Sequence, residues 1–190
     1  MLGPTLEQSE VDGVNAILAA LAGWPLSWVA YGLGTAYHET AHTMQPVREI
    51  GSDAYLTRMY DPCGLRPKVA ARLGNVEPGD GVKYCGRGYP QLTGRANYAR
   101  ADRELTLGGT LLAHPDNALR PDLAAEIMEA GMREGWFTGK RCVDYLPTVT
   151  TADRAAFIAA RRIINGQDRA GLIADYALSF QDALLLGRWA

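Results

Sequence analysis

The chain has 190 residues, 47% of them hydrophobic, which suits one domain with a sizeable core and requires no second one. A formal net charge of −2, with lysines and arginines scattered rather than clustered, gives no electrostatic case for nucleic acid or an anionic membrane surface. The start lacks the basic-then-apolar pattern of a signal peptide, no apolar run reaches spanning length, and Cys63, Cys85 and Cys142 form no C-x-x-C pair, so a chain made soluble in the cytoplasm with reduced thiols is expected.

Thr5-Leu6-Glu7-Gln8 has the form of a capping box, and Val14, Ile17, Leu18 and Leu21 follow at helical spacing until Gly23. Pro25 opens a second helix that is apolar or small from Leu26 to Thr43, with Leu26, Val29, Leu33, Ala36 and Thr40 on one stripe. Pro46 disfavours helix at Gln45 and should end the run there. Glu39 falls off the stripe, on a flank with Trp28, Gly32, Thr35 and His42, where small neighbours would leave a groove and a half-buried carboxyl. Glu49 lies past the stop, in a connection free to fold back; on a continuous helix it would be roughly 15 Å from Glu39. Two carboxyls so placed suggest hydrolysis. The plainer readings are a glutamate paired to a core arginine or histidine, and a solvated Glu49 beside Arg48.

The same residues carry a rival. His38-Glu39-Thr40-Ala41-His42 matches H-E-x-x-H, in which two histidines one turn apart bind zinc and the glutamate activates water. The extended form is absent, since Gln45 and Arg48 hold its further places, and the remaining histidine, His114, sits in a loop-like stretch beside Pro115. A zinc peptidase stays open as the lesser reading, and no metal or cofactor is expected at the site.

From Gly51 to Gly94 glycine and proline are frequent, and the region reads as mostly structured loop with one short helical candidate at Lys68 to Leu73. Such a loop is commonly a binding surface. Pro78-Gly79-Asp80-Gly81 reads as a tight turn and Lys83-Tyr84-Cys85 as a short extended piece. They lead into Gly86-Arg87-Gly88-Tyr89-Pro90-Gln91-Leu92-Thr93-Gly94-Arg95-Ala96-Asn97-Tyr98, locally a Gly-rich turn before a helix capped by Thr93. Further helices are expected with Leu123, Ile127 and Ala130 after Pro121, leading to Trp136-Phe137; with Phe157, Ala160 and Ile164; and with Ile173, Tyr176, Ala177, Phe180 and Leu184. Sustained strand alternation is missing, so the fold class is mainly α with at most a small β-hairpin.

The helix end at His38-Glu39-Thr40, Gly79-Asp80-Gly81 about forty residues on, the Gly86-to-Tyr98 block, and Arg161-Arg162-Ile163-Ile164-Asn165-Gly166 with Asp168-Arg169 together resemble the glycoside hydrolase family 19 catalytic domain. The likeness runs from about Tyr31 to about Phe180 and is nearest to the short, phage-type endolysins. It implies a mainly helical, lysozyme-like domain with a cleft between two lobes. By position it implies Glu39 as general acid, Glu49 as general base and Thr93 as the hydroxyl that holds the attacking water. Gln91, Asn97, Asn165 and Tyr89 take substrate-binding places, and Arg169 that of a late arginine supporting the carboxylates.

An inverting mechanism of this kind needs its carboxyl groups roughly 6.5–9.5 Å apart. The apolar helix is expected to keep Glu39 protonated by desolvation, while Glu49, on a wetter loop, stays ionised. The implied substrate is the β-1,4 glycan backbone of peptidoglycan, cut by an endolysin acting as a muramidase, with chitin as alternative. The expected protein is a monomer of one catalytic domain, without a wall-binding domain, nucleic-acid partner or membrane insertion. It would act on the wall after release through a separate membrane-permeabilising protein.

Overall fold

A computed structural model describes residues 7–189. In chain order its elements are α1 (Gln8–Ala20), α2 (Leu26–Glu39), β1 (Val47–Arg48), α3 (Asp53–Tyr60), α4 (Pro67–Leu73), α5 (Asp80–Lys83), β2 (Arg87–Gly88), α6 (Arg95–Glu104), α7 (Thr110–Ala113), α8 (Pro121–Glu134), α9 (Arg154–Ala160) and α10 (Ala170–Leu186), with 3-10 turns at Pro115–Leu119, Cys142–Asp144 and Arg161–Ile163. The fold is mainly α, as expected, and its strands form one two-stranded antiparallel ribbon among the described residues. The chain divides into two compact units, one built from the residues up to Gln45 and from Ala125 onward, the other from Pro46–Ala124.

The first unit is organised by α2 and α10, which pack side by side. They approach closely at Gly34, where a Cβ would stand 2.9 Å from the Ala177 nitrogen. Gly32 is covered in the same way, its Cβ position lying 2.9 Å from Leu21 Cδ1. The small residues of α2 therefore serve close packing, and the groove expected beside Glu39 is filled at Gly32. Ile17, Leu21, Val29, Tyr31, Leu33, Ala36, Phe157, Ile173 and Ala177 are buried here. Two buried polar side chains are satisfied by backbone: Tyr31 Oη donates to the Ala160 carbonyl at 2.9 Å, and Gln181 exchanges hydrogen bonds with both backbone groups of Ala152.

Two helix termini differ from expectation. Thr5 lies outside the described residues; α1 starts after Glu7, whose amide donates to the Glu10 carboxylate at 2.8 Å. At its other end, α2 stops at Glu39, well before Pro46. The His42 amide bonds to the Tyr37 carbonyl and the Ala41 amide to that of His38, the two bonds of a Schellman terminus. Ala41, at φ 50°, holds the left-handed position usually given to glycine, and His42 stacks on Tyr37 with ring centroids 4.3 Å apart. His42 and Met44 are also left-handed, at φ 75° and 55°. Such residues cost about 1–2 kcal/mol each. Offsetting this, Thr40 Oγ1 accepts from the Met44 amide at 3.0 Å, and Met44 is fully buried, with its carbonyl against Gly13 where a Cβ would collide.

In the second unit the stretch expected to be mostly loop holds three helices. Of these α4 matches the short candidate, whereas α3 was unforeseen because Leu56 is its one buried residue and leaves almost no apolar period. Ser52 caps α3, its hydroxyl accepting from the Tyr55 amide. The Pro78–Gly81 turn opens the single-turn helix α5, to which Lys83 belongs; the extended piece is instead β2. There Val47 faces Gly88 and Arg48 faces Arg87. The helix α6 begins behind Gly94, at φ 91°, not behind Thr93.

Buried ionic side chains tie these short elements together. The Asp61 carboxylate accepts the Gly79 and Gly81 amides, and Asp80 accepts those of Val76 and Glu77 together with the forked guanidinium of Arg95. Arg87 reaches Asp116, the Lys83 and Cys85 carbonyls and the Tyr98 hydroxyl. Elsewhere, α8 begins at Pro121 as expected, and Ile164 falls beyond the end of α9.

Candidate active site

Glu39 is the last residue of α2, with its side chain 20% exposed. The expectation gave it only an apolar environment. Instead Arg161, itself 3% exposed, donates through Nη1 to Glu39 Oε1 at 2.7 Å. The same guanidinium donates through Nε to the Asp168 carbonyl at 3.0 Å, so one buried cation fixes both the carboxyl and the turn before α10. Among the plainer alternatives this is the glutamate paired to a core arginine, and the pairing is compatible with chemistry because part of Glu39 remains accessible.

The arginine that meets Glu39 is thus Arg161 and not Arg169, which is exposed and stands at φ 55° ahead of α10. Asn165 is exposed on the same turn. His38 has its proton affinity lowered by burial first, and further by Arg161 and Arg169 against the opposing pull of Glu39. His42 has left the helix; besides stacking on Tyr37, its Nε2 lies 3.2 Å from the Tyr176 hydroxyl. The two imidazoles are therefore not paired one turn apart on a continuous helix as H-E-x-x-H requires, and no group of three His, Cys, Asp or Glu that could hold a metal is found among the described residues.

Glu49 belongs to the second unit and is half-buried rather than freely solvated. Its amide donates to the Gly86 carbonyl at 2.8 Å, continuing the ribbon by one residue. Its carboxylate accepts at both oxygens, from the Tyr60 hydroxyl at 2.8 Å and from the Gly86 amide at 3.1 Å. Burial, with the Glu49 carboxylate beside it, pushes the Tyr60 hydroxyl well above the ordinary tyrosine range and keeps it a donor. Tyr60 was not singled out from the sequence; its position at the end of the unforeseen α3 explains why.

Gly86 is where this carboxylate meets the motif block. A Cβ there would stand 3.2 Å from Glu49 Oε2, 3.2 Å from Thr93 Oγ1 and 2.5 Å from Gln91 Oε1. The structure thus brings three of the sequence-derived residues, Glu49, Thr93 and Gln91, around one glycine. Thr93 Oγ1 donates to the Gln91 carbonyl at 2.9 Å, which leaves its oxygen free to accept. Gln91, at φ 55°, spends its amide nitrogen on the Val47 and Gly88 carbonyls. Asn97 donates to the Thr93 carbonyl at 2.7 Å. Both amides hold the loop that carries Thr93. Tyr89, expected to touch substrate, is 0% exposed and packs in the core of the second unit.

A mainly helical chain with a minimal β-ribbon is a lysozyme-like architecture. Among solved structures the fold is similar to chitinase C from Streptomyces griseus HUT6037, at 20% identity over 95% of this chain and 72% of that one, with a TM-score of 0.58. It is also similar to a glutamate-to-glutamine mutant of chitinase C, at 19% identity over 96% and 71% of the two chains, with a TM-score of 0.55. No protein-family model matches the sequence, and no curated protein matches it.

Proposed function

We propose that the protein is a glycoside hydrolase of the endolysin type, cleaving the β-1,4 glycan backbone of peptidoglycan with inversion. In this reading Glu39 protonates the departing glycosidic oxygen, Glu49 takes a proton from the attacking water, and Thr93 orients that water. The observation that carries it is the Glu49 cluster. Among the described residues the Glu49 carboxylate accepts from neutral donors, Tyr60 and the Gly86 amide, with no ion pair, and beside it stands a hydroxyl with an accepting oxygen: two groups that a water-activating base requires. Arg161 fixes the rotamer of Glu39 while leaving the carboxyl partly open. Chitin is the second reading, favoured by the fold shared with chitinase C.

The test compares purified peptidoglycan with colloidal chitin and weighs the released fragments by mass spectrometry, since the reducing-end sugar names both substrate and bond. Glu39→Gln is expected to lower kcat about 10²- to 10⁴-fold with an unchanged circular dichroism spectrum. Substantial residual turnover, or a first product that retains its anomeric configuration, would remove this mechanism.

A further inference from the structure

Asn75 is 2% exposed, and both ends of its side-chain amide are spent on the supports of the Glu49 cluster. Its Nδ2 donates to the Tyr60 carbonyl at 2.9 Å, and its Oδ1 accepts from the Arg95 amide at 2.8 Å. Tyr60 is the last residue of α3 and the donor to Glu49 Oε1. Arg95 opens α6 two residues after Thr93. One amide therefore ties the helix that presents the carboxylate's donor to the helix that follows the hydroxyl-bearing loop, within the second unit.

The backbone of Asn75 is itself fixed. Gly74, left-handed at φ 68°, ends α4, with the Asn75 amide bonded to the Ala70 carbonyl and the Gly74 amide to that of Ala71, the two bonds of a Schellman terminus. That end of α4 is seated on the start of α6. A Cβ at Gly94 would stand 2.6 Å from Leu73 Cβ, and one at Gly74 2.5 Å from Ala96 Cβ. A cap would satisfy one free helix end; Asn75 satisfies a carbonyl of α3 and an amide of α6 at once, on either side of the Glu49 and Thr93 pair.

We propose that Asn75 is a positioning residue for the hydrolysis assigned above. Through Tyr60 it holds the Glu49 carboxylate, and through Arg95 the loop of Thr93, so the two groups that handle the attacking water keep one spacing. This inference rests on the glycan-hydrolase reading. Asn75 has no hydrogen bond to Glu49 or Thr93 themselves, so its loss acts by displacement, and a displacement of about 1 Å is worth about 10²-fold in rate.

Asn75→Ala and Tyr60→Phe are each expected to lower kcat about tenfold with KM changed less than about twofold. The double variant should lose clearly less than the product of the two single losses, because both substitutions break one chain of contacts. Losses that multiply, a rise in KM at unchanged kcat, or wild-type kcat in a folded Asn75 variant would overturn the assignment. Asn75→Ser is measured alongside in case the alanine variant does not fold, and full activity of Tyr60→Phe overturns the proposal however the Asn75 variants behave. A readout without turnover is the Tyr60 hydroxyl proton, followed by NMR. It should be protected from water exchange in the wild type and lose that protection in the Asn75 variant; equal protection in both overturns the link. If the wild type cleaves no glycan the hydrolase reading fails, while this proton still decides whether Asn75 holds Tyr60 against Glu49.

Discussion

Arg161 and Arg162 are neighbours in sequence with opposite fates: the first is buried against Glu39, the second exposed. The difference arises where α9 passes into a 3-10 turn at Arg161, which changes the angular step per residue and turns one guanidinium inward. The Arg-Arg motif was visible in the sequence, but the inward member was not, because the turn type depends on tertiary packing. Removing one partner of a buried ion pair leaves the other without compensation, so Arg161→Leu is expected to cost about 3 kcal/mol in urea unfolding. A cost below about 1 kcal/mol would show that the pair is solvated in practice. Glu49 illustrates the opposite limit. Its residue type and position after Pro46 were readable, whereas its donor Tyr60 came from a helix without an apolar period, and the motif block did not show that its Gly86 amide would turn to this carboxylate.

At the scale of elements, long apolar stripes were legible and short polar helices were not. The stripes of α2 and α10 are fixed by burial on one face, so periodicity reports them. By contrast α3 and α5 are held by capping hydroxyls, carboxylates on backbone amides and the Arg95 fork, interactions without a period. The end of α2 was misplaced for a related reason: its left-handed terminus is built on Ala41, with no glycine to announce it. Ala41 is exposed, so replacing it by glycine removes the Cβ strain without opening a cavity. Ala41→Gly is therefore expected to raise stability by about 1 kcal/mol, seen as a higher thermal midpoint. A lower midpoint would show that chain entropy outweighs strain at this site.

For the whole molecule, acid should act in two stages. Burial lowers the proton affinity of His38 from its ordinary value of 6.5, so the unfolded chain binds that proton more readily. Its contribution to stability is complete above pH 6.5 and is lost as the pH falls through the lower folded value. Asp80 is depressed below 3.8: burial alone would raise it, and the Arg95 fork with the Val76 and Glu77 amides outweighs this. Its contribution is present above 3.8 and disappears on further acidification. Glu129, raised by burial, works in the opposite sense just above its ordinary 4.5. Unfolding midpoints measured against pH should thus decline first below about 6.5, and His38→Gln should flatten that first slope alone; an unchanged slope would assign it to other groups.

The division into units was not apparent from composition, because no linker marks where one gives way to the other. The hydrogen bond between Glu39 and Arg161 spans 122 positions of the chain. During translation the carboxyl emerges first and waits for its guanidinium while 122 further positions are added. Any product cut short before residue 161 lacks the clamp on its proposed proton donor, so competence is reserved for molecules extended past that arginine.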